Sequence, residues 1–431
     1  MLRHPFCSNS GGKGCILLSI QMANGTTASA CMRTDRLLIF ASAGLRATAV
    51  GLSGVILALH LATVGLNTWG IGLMISLGLT GCALGTWLVT SVADRLGRRA
   101  TLVTLALLMC AGGVALACTV RPAIILISGL IGMINGMGRD RGAGLTVEQA
   151  ILPRTVAPAE RTNVFAWYNV VVDAGHAVGS LLGGLPAFLR MHAGASALGS
   201  YQWTWGLYSV LCGMAAWLAW RLTPAVEVQR VQPVRRLSAA SRPVVLKFAA
   251  LCGLDSLGGG FLTTALVGYW FFQRFGVDEA LLGPLFFTVR VLNGCSHLGA
   301  AWLAKRIGLV NTMVWTHLPS SLLLMTVPIA PTLPVAITLF LIREALVEMD
   351  VPTRQSYIVA IVRDEERTRA SGLVNLTRSV AWAVGPAVAG SLMQILSPAA
   401  PLLIGPGLKV TYDLLLFRAF RHLKPPEERG L

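Results

Sequence analysis

Long apolar runs broken by short polar gaps recur along the chain from residue 37 to residue 417. A helix needs about 20 consecutive apolar residues to cross the hydrocarbon core of a bilayer. The runs fall at 37–60, 69–92, 101–119, 122–142, 163–188, 202–221, 246–271, 281–304, 310–329, 334–353, 369–396 and 400–417. The pattern therefore predicts an all-α integral membrane protein with twelve transmembrane helices.

Composition supports this picture. Hydrophobic residues make up 54% of the 431, charged residues 13%, and the mean hydropathy is +0.67, whereas a soluble domain carries about 25% charged residues. A net charge of +16 would point to nucleic acid in a soluble chain, but here the basic residues lie in the gaps between apolar runs. With both termini inside, the inner gaps collect Arg95, Arg98, Arg99, Arg139, Arg141, Arg154, Arg161, Lys305, Arg306, Arg354, Arg363, Arg367 and Arg369, while the outer gaps hold Arg121, Arg190 and Arg274. This asymmetry obeys the positive-inside rule and predicts cytoplasmic termini for a protein of the cell (inner) membrane.

The nine cysteines show no CxxC or metal-ligand spacing, and those within apolar runs read as small buried hydrophobes. Residues 1–36 form a mixed, Gly/Ser/Thr-rich tail without a signal-peptide pattern, and Met32 offers a second start that leaves the native status of residues 1–31 open. The sequon Asn24-Gly25-Thr26 lies in this tail, on the side where glycosylation is not expected.

A basic stretch at 222–245 divides the predicted helices six and six: bundles at 37–221 and 246–417, with a second cytoplasmic tail at 418–431. Slid against each other by 206 residues, the halves match. Glu160-Arg161-Thr162 falls on Glu366-Arg367-Thr368, Gln149 on Gln355, Asn169 on Asn375, Ala177-Val178-Gly179 on Ala383-Val384-Gly385, and Gly184 on Gly390. Parallel six-helix repeats around a mid-membrane substrate site are a common plan of secondary transporters.

Between the second and third runs lies Asp94-Arg95-Leu96-Gly97-Arg98-Arg99, with a weaker copy at Lys305-Arg306-Ile307-Gly308. This loop resembles the signature loop of the major facilitator superfamily, although Thr90 stands where the family pattern begins with glycine. The resemblance spans 37–417. It implies a cytoplasmic gate role for Asp94, Arg95, Gly97, Arg98 and Arg99, beside the alternative of a topology anchor. In helix five, Gly175, Gly179, Gly183 and Gly184 resemble the glycine motif of drug/proton antiporters, with Ser180 in place of its proline; helix eleven repeats it as Gly385, Pro386 and Gly390. Small residues four apart let helices approach closely, so a packing role stands beside the export-specific one.

Charges inside a membrane cost roughly 2.5–3.5 kcal/mol each on insertion scales and are kept for a purpose. Arg46 lies about 14 Å into helix one at 1.5 Å per residue, and Asp255 lies comparably deep in its repeat partner, helix seven. In the resembled family helices one, four, seven and ten line the cavity, so Arg46 and Asp255 are expected to face each other as a substrate or counter-ion site and a proton carrier. Glu344 and Glu348 lie one turn apart in helix ten, suited to hold a proton when desolvated together. The alternative there is that Arg343 neutralises Glu344 and Asp350 pairs with Arg354. Asp173, Arg290 and Arg378, in helices five, eight and eleven, are each expected either to line the cavity or to form a buried pair that stabilises the interface between halves. Arg139-Asp140-Arg141 is expected at the inner end of helix four, and Lys409 and Asp413 are expected to neutralise each other.

No P-loop, GxSxG or HExxH motif occurs, so no enzymatic activity, cofactor or metal is expected. The chain reads as a monomeric secondary transporter of a small organic solute, with protons as coupling ion and efflux as the direction suggested by helix five. Uptake or exchange of an organic anion is the alternative, favoured by Arg46, Arg343 and Arg378, and a non-transporting receptor or scaffold is a third.

Overall fold

The computed structural model describes residues 11–156, 160–227, 237–239, 241–363 and 366–423, without the side chains of 11–31, 91–95, 154, 162, 297–298, 301, 359–360 and 368. The first half contains α1 (Gly11–Thr63), α2 (Thr68–Leu96), α3 (Arg98–Cys118), α4 (Pro122–Gly132), α5 (Ala143–Ile151), α6 (Arg161–Leu182), α7 (Leu185–Ala193) and α8 (Ala197–Trp220). The second contains α9 (Ser241–Gly260), α10 (Thr264–Phe275), α11 (Glu279–Ile307), α12 (Leu309–Thr326), α13 (Leu333–Val347), α14 (Asp350–Ala360), α15 (Arg367–Ile395) and α16 (Ala400–Phe420). Six helical stretches among the described residues are long and apolar enough to cross a membrane: Met32–Thr63, Thr68–Thr90, Arg98–Cys118, Asn163–Ala193, Ser241–Phe275 and Ala400–Phe420. The protein is an all-α, multi-pass integral membrane protein.

Four predicted spans are interrupted, and the interruptions shape the site. The span expected at 122–142 unwinds after α4, and helix resumes only at Ala143. Met133, Gly136 and Gly138 take left-handed backbone angles (φ 56°, 63° and 65°), which at the two glycines carry no Cβ penalty. Unwound backbone inside a membrane protein must find partners within the protein. Here Asn135 Oδ1 accepts the Met137 N–H at 2.9 Å, Gly136 O accepts the Ala265 N–H at 3.0 Å, and Met137 O accepts the Thr264 hydroxyl at 2.9 Å. The other breaks follow Gly183-Gly184, Gly258-Gly259-Gly260 and Val347, with the Thr263 hydroxyl capping α10 at Leu266 N.

Glycines bring the helices together. α6 packs along α1, and a Cβ at Gly175 would lie 2.7 Å from Gly44 O and one at Gly183 2.6 Å from Val55 Cβ, while one at Gly179 would run into Thr48 O. In the second half α15 lies against α9 and crosses to α2: Gly385 abuts Gly260, and Pro386 and Gly390 abut Gly72. Beside Pro386 the Ala387 N–H donates to Ser76 Oγ of α2 at 2.8 Å, a neighbouring hydroxyl accepting where a proline disturbs the ladder.

The apolar core differs between the two faces of the bundle. On the face away from the 222–245 connection, one cluster joins both halves and includes Leu61, Ile71, Trp205, Trp270, Phe271 and Phe340. On the connection face there are two separate clusters, one from the first half around Ile39, Val147 and Tyr168, the other from the second half around Phe248, Tyr357 and Phe420. The halves are thus sealed together by apolar contact on the far face and divided on the near one.

Candidate functional site

Where the unwound stretch after α4 meets α9, α10, α11, α13 and α15, a cavity of about 120 Å³ lies between the halves. Its walls include Met137, Arg139 and Arg141 from the first half. From the second come Asp255, Thr264, Phe286, Arg290, Asn293, Phe340, Arg343, Glu344, Glu348, Arg354, Arg378, Trp382 and Lys409. Arg139-Asp140-Arg141 is therefore not at an inner helix end. The glycine-rich break carries it into the interior, where Arg139 Nη1 reaches Glu348 of the other half at 2.6 Å.

The expected meeting of Arg46 and Asp255 does not occur. Arg46 stays in its own half, its Nε 2.6 Å from Asp140 and its Nη atoms 2.6 and 2.7 Å from the two oxygens of Glu148. Tyr168 donates to Glu148 at 2.6 Å, and the Asp140 N–H donates to His176 Nε2 at 2.8 Å. Arg46 lines a smaller pocket beside α2 and α3 instead of the central cavity. Asp255 is held by Lys409 at 2.7 Å and by Arg354 at 3.5 Å, with Arg354 also bonded to Asp350. At the 206-residue offset Glu148 falls on Arg354, whereas Arg46 falls on Cys252, three residues before Asp255, and each charge meets partners in its own half. The first half sets Arg46 against two carboxylates, and the second sets Asp255 and Asp350 against Arg354 and Lys409.

Glu344 and Glu348 of helix ten both line the central cavity, each with its own cation: Glu344 bonds Arg343, and Glu348, just past the end of α13, meets Arg139. Lys409 and Asp413 do not pair: Lys409 turns to Asp255, and both oxygens of Asp413 lie 3.0 Å from His317 Nδ1. His317 Nε2 lies 3.3 Å from Lys409 Nζ. The same Nε2 lies 3.6 Å from Asp255, so the imidazole bridges Asp413 and the Asp255–Lys409 pair. Asp173 has a half-exposed side chain 3.9 Å from His176 and is not among the cavity residues.

Once these pairs are counted, three guanidiniums in the cavity have no carboxylate within 4 Å among the described residues. Arg290 Nη2 donates to Thr264 Oγ1 at 2.8 Å, Arg378 Nε donates to Ser256 Oγ at 3.0 Å, and Arg141 lies 3.8 Å over the indole of Trp382, which Arg378 also approaches at 4.4 Å. An indole face and hydroxyls position a guanidinium without neutralising it. The cavity lining consequently carries more cationic than anionic side chains.

At the gate loop, the side chains of Asp94 and Arg95 lie outside those described. Arg98 and Arg99 donate backbone N–H groups to Glu227 at 2.6 and 3.2 Å, capping α3, and Arg98 Nη1 donates to Ala150 O at 3.0 Å. Gly97, at φ 94°, makes the turn. These contacts bind the loop to its own half and the adjoining connection. The tie between halves on the far face lies elsewhere. Glu279 at the start of α11 accepts from Arg190 at 2.6 Å and from Tyr201, joining α7 and α8 to α11. Glu279 is buried, and its only sequence signal was the capping Asp278 before it.

Comparison with known proteins agrees with this geometry. The chain is 26% identical over 422 residues to an uncharacterized membrane protein of Saccharomyces cerevisiae (YJR124C), covering 90% of this chain and 94% of that one. Its fold resembles a point variant of the nucleoside transporter NupG, with TM-score 0.73 at 15% identity over 90% of this chain and 100% of the other. It also resembles the human organic anion transporter MFSD10, with TM-score 0.60 at 18% identity over 89% and 99% of the two chains. Residues 39–349 match the Major Facilitator Superfamily. The chain is a member of the Major Facilitator Superfamily, a non-enzymatic secondary transporter of a small organic solute.

Proposed function

We propose that this transporter moves a small organic anion, by uptake or exchange, through the cavity between its halves. The observation that carries the reading is the set of guanidiniums of Arg141, Arg290 and Arg378, which line the cavity with no carboxylate partner among the described residues. A carboxylate entering among them gains charge-assisted hydrogen bonds in a low-dielectric setting, where such bonds are strongest. The likeness to a human organic anion transporter is in keeping with this, though at that identity it speaks for the fold alone. Gly175, Gly179 and Gly183 pack against α1 and Gly184 lies against α11, so the glycine motif is used in packing and gives no separate support to drug efflux.

The finer features belong to the same proposal. The chain forms twelve spans in two six-span repeats and acts as a monomer with cytoplasmic termini, so the divided face opens inward and the sealed face lies outside. Arg343, Glu344, Glu348 and Asp255 shape the cavity, with Arg378 contacting substrate. Coupling to protons runs through Asp255, Lys409, His317 and Asp413, a buried chain in which a proton gained or lost at one group changes what its neighbour can bond. Arg98 and Arg99 secure the inner loop whose gating role the motif implies.

The test is uptake of radiolabelled carboxylates, a nucleoside and a sugar into proteoliposomes, with and without a pH gradient. Carboxylates should enter above empty vesicles, and Arg141→Gln, Arg290→Gln and Arg378→Gln should each reduce entry at least tenfold. Transport of the neutral solutes with no carboxylate entry would reject the reading.

A further inference from the structure

Two further polar groups in the cavity wall are unanswered by the ion pairs. Asn293 lies three residues after Arg290 on α11, one turn along the same helix, and both line the cavity. Asn293 is only 2% exposed, yet neither its Nδ2 nor its Oδ1 has a protein partner, and Arg290 Nε and Arg141 Nε are likewise buried without one. A buried amide with both its donor and its acceptor unanswered is costly, and such groups are normally paired. The apolar part of the lining combines Phe286, Phe340 and Trp382 with aliphatic residues such as Leu262 and Val289. The cavity, at about 120 Å³, is of the order of one that holds a benzene ring.

Resting on the organic-anion reading, we propose that the substrate is a planar, single-ring anion that carries an adjacent hydrogen-bond donor and acceptor, as in a ring amide or imide, and that Asn293 reads this edge. The anionic group lies among the guanidiniums of Arg141, Arg290 and Arg378, and the ring lies against the aromatic walls. The Asn293 carboxamide supplies one donor and one acceptor side by side, complementary to the N–H and C=O of such an edge. A ring without this edge leaves both ends of the amide unpaired, and a polar site discriminates most strongly against the analogue that lacks the bonding group.

Orotate and benzoate make the test, since both are planar single-ring carboxylates and only orotate has the ring imide. In proteoliposomes carrying the full chain, the uptake efficiency of orotate should exceed that of benzoate at least tenfold, and in Asn293→Leu that ratio should fall to about one. Because the variant may alter folding, the melting temperature of the detergent-solubilised wild type is measured as well, and orotate should raise it more than benzoate at equal concentration. Equal uptake and equal melting shifts in the wild type would overturn the assignment of Asn293 while leaving organic-anion transport standing. A ratio that survives in a folded Asn293→Leu protein would overturn it too. Entry of neither these two anions nor any other carboxylate would overturn both.

Discussion

Arg46 and Arg290 are both buried arginines within the bundle, yet they do opposite work. Arg46 faces Asp140 and Glu148, so removing Glu148 takes away both Nη bonds and leaves Asp140 as its carboxylate, and bonds to a charged group are typically worth about 1.5–3 kcal/mol each. Glu148→Gln is therefore expected to lower the melting temperature in detergent strongly. Arg290→Gln strands no carboxylate, and should melt near the wild type while losing anion uptake. At the near face, the Ser241 hydroxyl and the Ser238 N–H hold the Glu366 carboxylate down to about 2 from its ordinary 4.5. A carboxylate with a depressed folded-state pKa stabilises above its unfolded value and loses that contribution as pH falls through the folded one. The melting temperatures of wild type and Glu366→Gln should differ at neutral pH and converge as the pH approaches 2. Most of these charged positions stood out in the sequence, but their partners did not. The repeat set Glu148 opposite Arg354, just before the matched Gln149 and Gln355, but did not show which charge either would meet.

At the scale of helices, the apolar runs located the spans well and the breaks poorly. A run of 20 apolar residues has the same hydropathy whether or not it unwinds midway, and at Asn135-Gly136-Met137-Gly138 the freed carbonyls of Gly136 and Met137 accept from the Ala265 N–H and the Thr264 hydroxyl of the other half. The small residues were more legible, since close approach demands them wherever two helix backbones touch. Gly179→Leu forces a side chain into Thr48 and Leu52 of α1, so folded protein should largely disappear on size-exclusion chromatography. Gly206→Leu on α8 is the control: no atom lies within 4 Å of its would-be Cβ, and the variant should elute as the wild type does.

For the whole molecule, the decisive asymmetry is a core that is continuous on the far face and divided on the near one. Reversal of that asymmetry requires parting the far face, and the buried Glu279, bonded to Arg190 and Tyr201, stands across the seam. Arg190→Ala leaves Glu279 without its cation and favours separation. With Leu262→Cys as a reporter in the cavity wall of a protein otherwise free of reactive cysteine, a membrane-impermeant maleimide added from the far face should label the Arg190→Ala protein several-fold faster. Unchanged labelling would show that the apolar cluster alone keeps this face shut.

What the sequence by itself determined was the solvent the chain folds in, the approximate position of its apolar spans, the repeat, the gate loop and the glycine seams. Each of these is written as a local pattern of length, periodicity or residue size. Only the tertiary structure decided which charges cancel. Ion pairing depends on the rotation of each helix about its axis and on where it unwinds, and a shift of one residue turns a side chain by about 100°. That rotation paired Arg46 with Glu148, Glu348 with Arg139 and Asp255 with Lys409. It left Arg141, Arg290 and Arg378 to face the cavity with their charge unmet.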